Sequence, residues 1–291
     1  MADIVYPPII LTAKTLFKVL GIRFDIVGTE NLPRVGGAII AINHTSYLDF
    51  ALSGIPADRV GHRLVRFMAK DGIFKHPIAG PLMRGMHHIP VDRDAGSQAF
   101  RDAVRALKDG ELVGIFPEAT MSRSMEIKEI KNGAVRMAAA AKVPLIPMIV
   151  LGGARILSYG RKDLTRGRTV AMTIGAPMHP TRSDDAEVLN EQLHQQLEQL
   201  LDETIDRYPK PTPEELKAPD GPWWLPARRG GTAPTLAEAE AIETRIRTER
   251  TERTEHTERT EHTERTERTE HTEHTEHTAP VKEEEPPSPG P

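Results

Sequence analysis

Apolar runs and helix-like segments alternate along the first two thirds of the chain. Runs rich in Ile, Leu and Val, which are typical of buried strands, occupy residues 37–42, 112–116, 145–150 and 170–174. Segments with apolar side chains at helical spacing occupy residues 98–108, 134–142 and 184–206. This alternation predicts an α/β fold with a mainly parallel central sheet flanked by helices.

The pattern also predicts how the chain is divided. An N-terminal amphipathic helix precedes an α/β domain large enough for one core, and a proline- and glycine-rich arm and a low-complexity tail follow it. In chain order, these parts are expected at residues 1–22, 23–208, 209–247 and 248–291.

The helix and the arm each leave two interpretations open. The N-terminal helix, with Lys14 and Lys18 one turn apart, suits either a membrane interface or packing on the domain. In the arm, Trp223 and Trp224 precede two arginines and suit either a membrane interface or a groove of the domain. We expect no membrane-spanning helix, which needs about 18 uncharged apolar residues, and no secretory signal.

The tail repeats the triplets Thr-Glu-Arg and Thr-Glu-His over residues 248–277. Threonine at every third position weakens a helix, and nothing apolar is available to bury. We therefore expect a disordered, solvated segment or at most a marginal helix. Its histidines suit weak metal binding or a pH response, although a neutral low-complexity expansion is the simpler interpretation.

Composition narrows the classes of function. The 291 residues include no Cys, which excludes disulfides, Cys-ligated zinc and thiol nucleophiles. The formal net charge of -4 arises beyond residue 227, because the residues before it are nearly neutral. This balance gives no electrostatic support for nucleic-acid binding.

The first candidate site follows the apolar run at residues 37–42. His44 and Asp49 lie there in a polar cluster that opens a helix, and ligands of open α/β sheets bind at the carboxyl ends of strands. An imidazole in that place is suited to move protons. A structural alternative exists, because Ser46 and Asp49 also fit a capping box. Residues five apart on a helix lie about 140° apart, so His44 is expected before the helix and Asp49 in its first turn.

Three later segments bear on this choice. Residues 85–93 form a short apolar strand that leads to Arg93, whose planar guanidinium suits a phosphate. Residues 114–124 end a strand and continue with a carboxylate, hydroxyls and an arginine. Residues 143–148 form an apolar strand entered through proline.

Together, the four segments resemble the motif blocks of the glycerolipid acyltransferases. In the order of that family, the blocks are His44 with Asp49, residues 85–93, Phe116-Pro117-Glu118 and residues 143–147. The resemblance covers roughly residues 20–180. It implies an enzyme that moves a fatty acyl group from a thioester to a hydroxyl of a lysophospholipid.

The resemblance also implies roles for single residues. His44 is the general base that takes the proton of the acceptor hydroxyl, and Asp49 orients the imidazole and stabilises its charged form. Arg93 and Glu118 belong to the acceptor site, with Arg93 on the phosphate. The further positions assigned to substrate binding are Gly85, Thr120 and Arg123.

The same resemblance implies the partners. The acyl donor is acyl-CoA or acyl carrier protein, and the acceptor is a lysophospholipid such as 1-acylglycerol-3-phosphate, which would give phosphatidic acid. The acceptor hydroxyl is the nucleophile, so neither a cofactor nor a metal is expected. We expect peripheral association with the cytoplasmic face of a membrane.

The third block departs from the family pattern Glu-Gly-Thr-Arg-Ser. Ala119 stands where a glycine could adopt positive φ or allow close backbone approach. Two extra residues also separate Glu118 from Arg123. The acceptor is therefore left open between 1-acylglycerol-3-phosphate, another lysophospholipid and a lyso-amino-lipid. A non-catalytic lipid-binding relative is a further alternative.

Overall fold

A computed structural model describes residues 4–92, 96–249 and 251–252. The strands are β1 (Arg23–Val27), β2 (Ala38–Ile42), β3 (Val65–Lys70), β4 (Ile89–Val91), β5 (Leu112–Ile115), β6 (Leu145–Leu151), β7 (Leu157–Ser158), β8 (Arg161–Lys162) and β9 (Thr169–Ile174). The helices are α1 (Tyr6–Val19), α2 (Asp49–Gly61), α3 (Asp71–Phe74), α4 (Ala79–Gly85), α5 (Gly96–Lys108), α6 (Gly133–Ala141), α7 (Ala186–Arg207) and α8 (Pro213–Lys217).

Seven strands form the central sheet, in the order β1-β9-β6-β2-β5-β3-β4, and β7 and β8 form a separate hairpin. Neighbouring strands of the sheet are parallel except β6 and β9, which are antiparallel. Every residue of β2 and β6 is buried. Strands buried on both faces have continuous apolar sequences. The predicted α/β fold with a mainly parallel sheet is confirmed.

The side chains of β2 alternate between two hydrophobic clusters, one on each face of the sheet. Ile39 and Ala41 pack with side chains of α5, α6 and α7. Ile40 and Ile42 pack with side chains of α1 and α2. The core therefore lies in two layers, and the end of β2 is held from both sides.

The N-terminal helix α1 packs on the domain along one of its faces. The Tyr6 hydroxyl donates to the carbonyl oxygen of Val65 at 2.7 Å, and Phe17 is buried. Elsewhere on α1, the side chains of Leu11, Leu16 and Val19 are exposed. Packing on the domain thus leaves an apolar surface of this helix uncovered.

The arm takes the packing alternative as well. Trp224 is only 3% exposed and lies in the same cluster as α5, α6 and α7, with Trp223 packed against it. The guanidinium of Arg155 lies 4.4 Å from the Trp224 ring centre, and that of Arg161 lies 4.2 Å from the Trp223 ring centre. The structure therefore bears out the packing alternative for the buried indole of Trp224, and Trp223 is partly buried beside it.

The chain divides into a compact unit that extends to Ala239 and a second unit that begins at Glu240. The described residues of the second unit are helical. Most of the repeat, beyond residue 252, lies outside the described residues. In the part that the structure describes, no helix is both long enough and apolar enough to cross a membrane.

Candidate active site

The candidate site lies on the loop that joins β2 to α2, at the carboxyl end of a central strand. β2 ends at Ile42 and α2 begins at Asp49. His44 therefore precedes the helix and Asp49 is its first residue, as the spacing predicts. His44 Nδ1 lies 3.0 Å from Asp49 Oδ2, so the structure brings the two residues into direct contact.

The same carboxylate oxygen of Asp49 also shapes the loop. It accepts the backbone N–H groups of Thr45 and Ser46, each at 2.7 Å. The bond from the Ser46 N–H corresponds to one half of a capping box, but the N-cap of α2 is Leu48, which makes no side-chain cap hydrogen bond, and the Ser46 hydroxyl accepts the Leu48 N–H instead. The predicted capping box is therefore incomplete, whereas the pairing of Asp49 with His44 is present.

Asp49 lies at the bottom of the site and is fully buried, whereas the side chain of His44 is 23% exposed. Burial raises the pKa of Asp49 above its ordinary value, while the bonds from His44 and the two backbone N–H groups lower it. A Cβ on Gly153 would lie 3.1 Å from Asp49 Oδ1 and 2.9 Å from Leu52 Cδ1. Gly153 therefore allows the turn after β6 to close against the carboxylate.

Two phenylalanine rings, Phe116 and Phe67, form a ring column beside the imidazole. His44 stacks on Phe116 with centroids 4.3 Å apart and planes inclined by 25°, and Phe116 stacks on Phe67 at 6.0 Å. With an ionised Asp49 at Nδ1, the neutral imidazole keeps its proton there and leaves a lone pair on Nε2. Nε2 has no hydrogen-bond partner within the described residues. This arrangement is that of a general base.

Glu118 is a buried link between two segments of the site. Its Oε1 accepts the backbone N–H of His44 at 2.9 Å, and its Oε2 accepts that of Lys128 at 3.1 Å. Burial raises the pKa of Glu118 to about 8, against the lowering effect of these two N–H groups. Both oxygens bond to backbone, whereas the family resemblance assigns this carboxylate to the acceptor.

The turn after Glu118 keeps the shape that a glycine would give it. Ala119 adopts a φ of 63°, in the left-handed region. An L-residue there is strained by about 1 kcal/mol. Thr120 is exposed on the outside of the turn, and its hydroxyl oxygen accepts a hydrogen bond from the ammonium of Lys128.

Arg123 lies beside the His44 loop. The N–H of Ser122 donates to the His44 carbonyl oxygen at 2.6 Å, which fixes the neighbouring backbone. The guanidinium carbon of Arg123 lies 3.8 Å from the centre of the Tyr159 ring. No carboxylate of the described chain pairs with Arg123, and its Nε is buried without a hydrogen-bond partner. An uncompensated guanidinium near the base suits an anionic group of a substrate.

The second motif block, residues 85–93, begins at the end of helix α4. Gly85 is the last residue of α4, and a Cβ on it would lie 2.8 Å from Val5 Cγ2. Because Gly85 has no side chain, α4 can pack closely on the segment before α1. Arg93 lies outside the described residues, and its assignment to the acceptor phosphate stays a prediction.

Sequence reasoning missed several residues that support the site. Asn43 links the ends of β2 and β6, because its side chain accepts the Val150 N–H at 2.7 Å and donates to the Val150 carbonyl oxygen at 3.2 Å. Gly153 could have been identified from the sequence as a site residue, because it lies just after the carboxyl end of a predicted strand. Tyr159 could not have been identified in this way, because its contact with Arg123 joins distant parts of the sequence.

No group of three or more His, Asp or Glu side chains is arranged to hold a metal ion in the part of the chain that the structure covers.

The model of the Acyltransferase family matches residues 23–151, which contain the His44 loop, Glu118 and Arg123.

Known relatives show the family to which this chain belongs. A 1-acyl-sn-glycerol-3-phosphate acyltransferase of Bacillus subtilis (strain 168) is 32% identical over 170 residues, which are 57% of this chain and 80% of that protein. A chloroplastic enzyme of the same name from Arabidopsis thaliana is 31% identical over 167 residues, 56% of this chain and 45% of that protein. This chain therefore spans about half the length of the plant relative.

The crystal structure of a 1-acyl-sn-glycerophosphate (LPA) acyltransferase from Thermotoga maritima has the same fold. It matches with a TM-score of 0.58 and 24% sequence identity, over 70% of this chain and 80% of that chain. Fold, site and relatives agree, and the chain belongs to the acyltransferase family.

Proposed function

We propose that this enzyme transfers a fatty acyl group to the free hydroxyl of 1-acylglycerol-3-phosphate and so forms phosphatidic acid for phospholipid biosynthesis. Acyl-CoA or acyl carrier protein is the donor. The observation that carries the proposal is the pairing of His44 with Asp49 at 3.0 Å, with Nε2 left as a base. The names of the Bacillus and Arabidopsis relatives support the acceptor.

The reaction follows from the orientation of the imidazole. Nε2 of His44 takes the proton of the acceptor hydroxyl, and the oxygen attacks the thioester carbonyl carbon. The tetrahedral intermediate then collapses, the C–S bond breaks, and the leaving thiolate takes the proton from the imidazolium. Asp49 stabilises the imidazolium while it exists. The scheme uses no acyl-enzyme, cofactor or metal.

We place the phosphate of the acceptor at Arg123, whose charge no described carboxylate compensates, together with Arg93, which the family resemblance assigns to the same phosphate. A guanidinium binds a phosphate through two parallel N–H donors. In the family pattern the arginine stands two residues closer to the glutamate, so the altered block favours a second candidate as well. That candidate is the same reaction on another lysophospholipid or on a lyso-amino-lipid.

A narrow apolar groove between α1 and α2 suits the acyl chain. Its lining includes Ile10 and Ala13 of α1 and Phe50 and Ile55 of α2. The Phe50 ring meets the edge of Phe67 at 6.4 Å, and thereby reaches the ring column beside His44. An acyl chain in this groove would end near the base.

We further propose that the enzyme associates peripherally with the cytoplasmic face of a membrane through α1. Leu11 is 66% exposed, Leu16 is 51% exposed and Val19 is 59% exposed, on the surface of α1 that the domain does not cover. Exposed apolar side chains with nearby lysines are suited to insert at a lipid interface. The lysophospholipid acceptor is itself found in that interface.

A panel of lysolipid acceptors, each assayed with one acyl-CoA and one acylated carrier protein, tests the proposed function. We expect the highest kcat/KM with 1-acylglycerol-3-phosphate. Transfer to another lysolipid, with none to 1-acylglycerol-3-phosphate, would contradict the acceptor but keep the chemistry. Absence of transfer to every acceptor would contradict the enzymatic proposal as a whole.

A further inference from the structure

We propose that Tyr159 is a positioning residue that holds Arg123 in the orientation needed to bind the headgroup phosphate of the acceptor. The inference rests on the proposed function, and it adds a residue outside the matched family region, which ends at residue 151. It concerns a contact between the loop after β5 and the turn of the β7–β8 hairpin.

The hairpin is fixed to the His44 loop by direct hydrogen bonds. The Ser46 hydroxyl donates to the Leu157 carbonyl oxygen at 2.7 Å, and the Ser158 hydroxyl donates to the Thr45 carbonyl oxygen at 3.0 Å. The ring of Tyr159 therefore has a defined place relative to the base.

Further contacts hold the hairpin from the side of the arm. Arg161 forms an ion pair with Asp220 at 2.5 Å and stacks on Trp223. The Tyr47 and Tyr159 rings also meet edge to face at 5.8 Å. The ring of Tyr159 is thus part of a braced surface and can act as a fixed support.

The guanidinium of Arg123 lies over this ring at 3.8 Å. Stacking on an aromatic face engages the flat side of the guanidinium and leaves its N–H edge free for a phosphate. An arginine already held in place loses less side-chain entropy when its ligand binds. Tyr159 should therefore strengthen acceptor binding without touching the reacting atoms.

If Tyr159 is a positioning residue, its loss should raise KM without changing kcat. The phosphate takes no part in the bonds that form and break, so its contact with Arg123 is the same in the ground state and in the transition state. Weakening that contact raises KM and leaves kcat unchanged. We expect Tyr159→Leu to raise the KM for 1-acylglycerol-3-phosphate about five- to tenfold, with kcat and the KM for the acyl donor within twofold of wild type. Tyr159→Phe, which keeps the ring, should match wild type.

A double-mutant cycle tests whether Tyr159 acts through Arg123. In the Arg123→Met background, Tyr159→Leu should cause no further rise in KM. The matched control is Phe100→Leu, which removes a ring 5.9 Å from the guanidinium of Arg136, and it should leave the acceptor KM unchanged. If Tyr159→Leu fails to fold, as judged by thermal melting, Tyr159→Gln removes the ring face in the same way.

An unchanged acceptor KM in folded Tyr159→Leu would overturn the inference while the wild type still transfers acyl groups. A further KM rise in the Arg123→Met background would overturn it as well, because the ring would then act independently of Arg123. A wild-type enzyme that transfers nothing to 1-acylglycerol-3-phosphate would instead contradict the proposed function.

Discussion

Glu118 accepts the backbone N–H of His44 at 2.9 Å, and so joins two motif segments that lie 74 residues apart at the proposed base itself. The other carboxylate oxygen accepts the N–H of Lys128. Glu118 therefore holds the loop that carries His44 by its backbone. This structural role of Glu118 in the acyltransferase motif requires no contact with a substrate.

Glu118→Gln should lower kcat about tenfold and leave the acceptor KM nearly unchanged. The amide NH2 group of glutamine would face one of the two backbone N–H donors, at a cost of about 1–3 kcal/mol, and the His44 loop would shift. Steady-state kinetics with varied acceptor checks this. A raised acceptor KM with unchanged kcat would show that Glu118 binds the acceptor directly.

The contribution of Glu118 to the stability of the protein should fall as pH rises from about 5 to 8. Its pKa is raised from 4.5 to about 8 in the folded protein, so the folded state keeps a proton that the unfolded state releases above 4.5. The contribution of Glu118 to the free energy of unfolding then decreases with pH in this window, by at most about 1.4 kcal/mol per pH unit.

Urea unfolding at several pH values checks this slope in wild type and in Glu118→Gln. The variant has no titratable group at this position, so its unfolding free energy should depend less on pH between 5 and 8. An equal slope in both proteins would mean that Glu118 titrates as it does in the unfolded chain.

Ala119→Gly should stabilise the protein by roughly 0.5 kcal/mol. Glycine relieves the left-handed strain at φ 63° but gives the unfolded chain more freedom, which offsets part of the gain. Thermal or urea unfolding measures the difference. As a control, Ala106→Gly within α5 should destabilise by about 1 kcal/mol, because helix interiors disfavour glycine. A loss of stability in Ala119→Gly would contradict the assigned strain.

Leu11→Glu should weaken binding to phospholipid vesicles if α1 is the membrane contact. A charge on its exposed apolar face opposes insertion, while the domain beneath stays packed. Vesicle flotation measures the bound fraction. Val188→Glu, at a 54% exposed position of α7, is the matched control and should bind like wild type. Equal binding of all three proteins would exclude this face of α1.

Much of the fold could be predicted from the sequence because its central strands are buried on both faces. β2, β5, β6 and β9 are near-continuous apolar runs, and all were predicted. β1 and β3 were not, because Asp25 and Arg66 interrupt their apolar residues. The pattern of apolar residues indicates which strands are buried. These two strands are less uniformly buried, and their charged residues are paired through tertiary contacts that the pattern does not show.

The candidate site was predictable only as far as local geometry determines it. The five-residue spacing of His44 and Asp49 was enough to place one before the helix and the other at its start. The partners of Glu118 and the ring under Arg123 depend on contacts between distant segments, which spacing does not encode. For the same reason the arm stayed ambiguous until the structure placed Trp224 in the core.

Replacement of the proposed base tests the central claim most directly. We expect His44→Ala to transfer acyl groups to 1-acylglycerol-3-phosphate about 10²- to 10⁴-fold more slowly than wild type, because the acceptor hydroxyl loses its general base. Its thermal melting should stay close to that of wild type, since the imidazole is partly exposed. A correctly folded His44→Ala enzyme with full kcat would contradict the account.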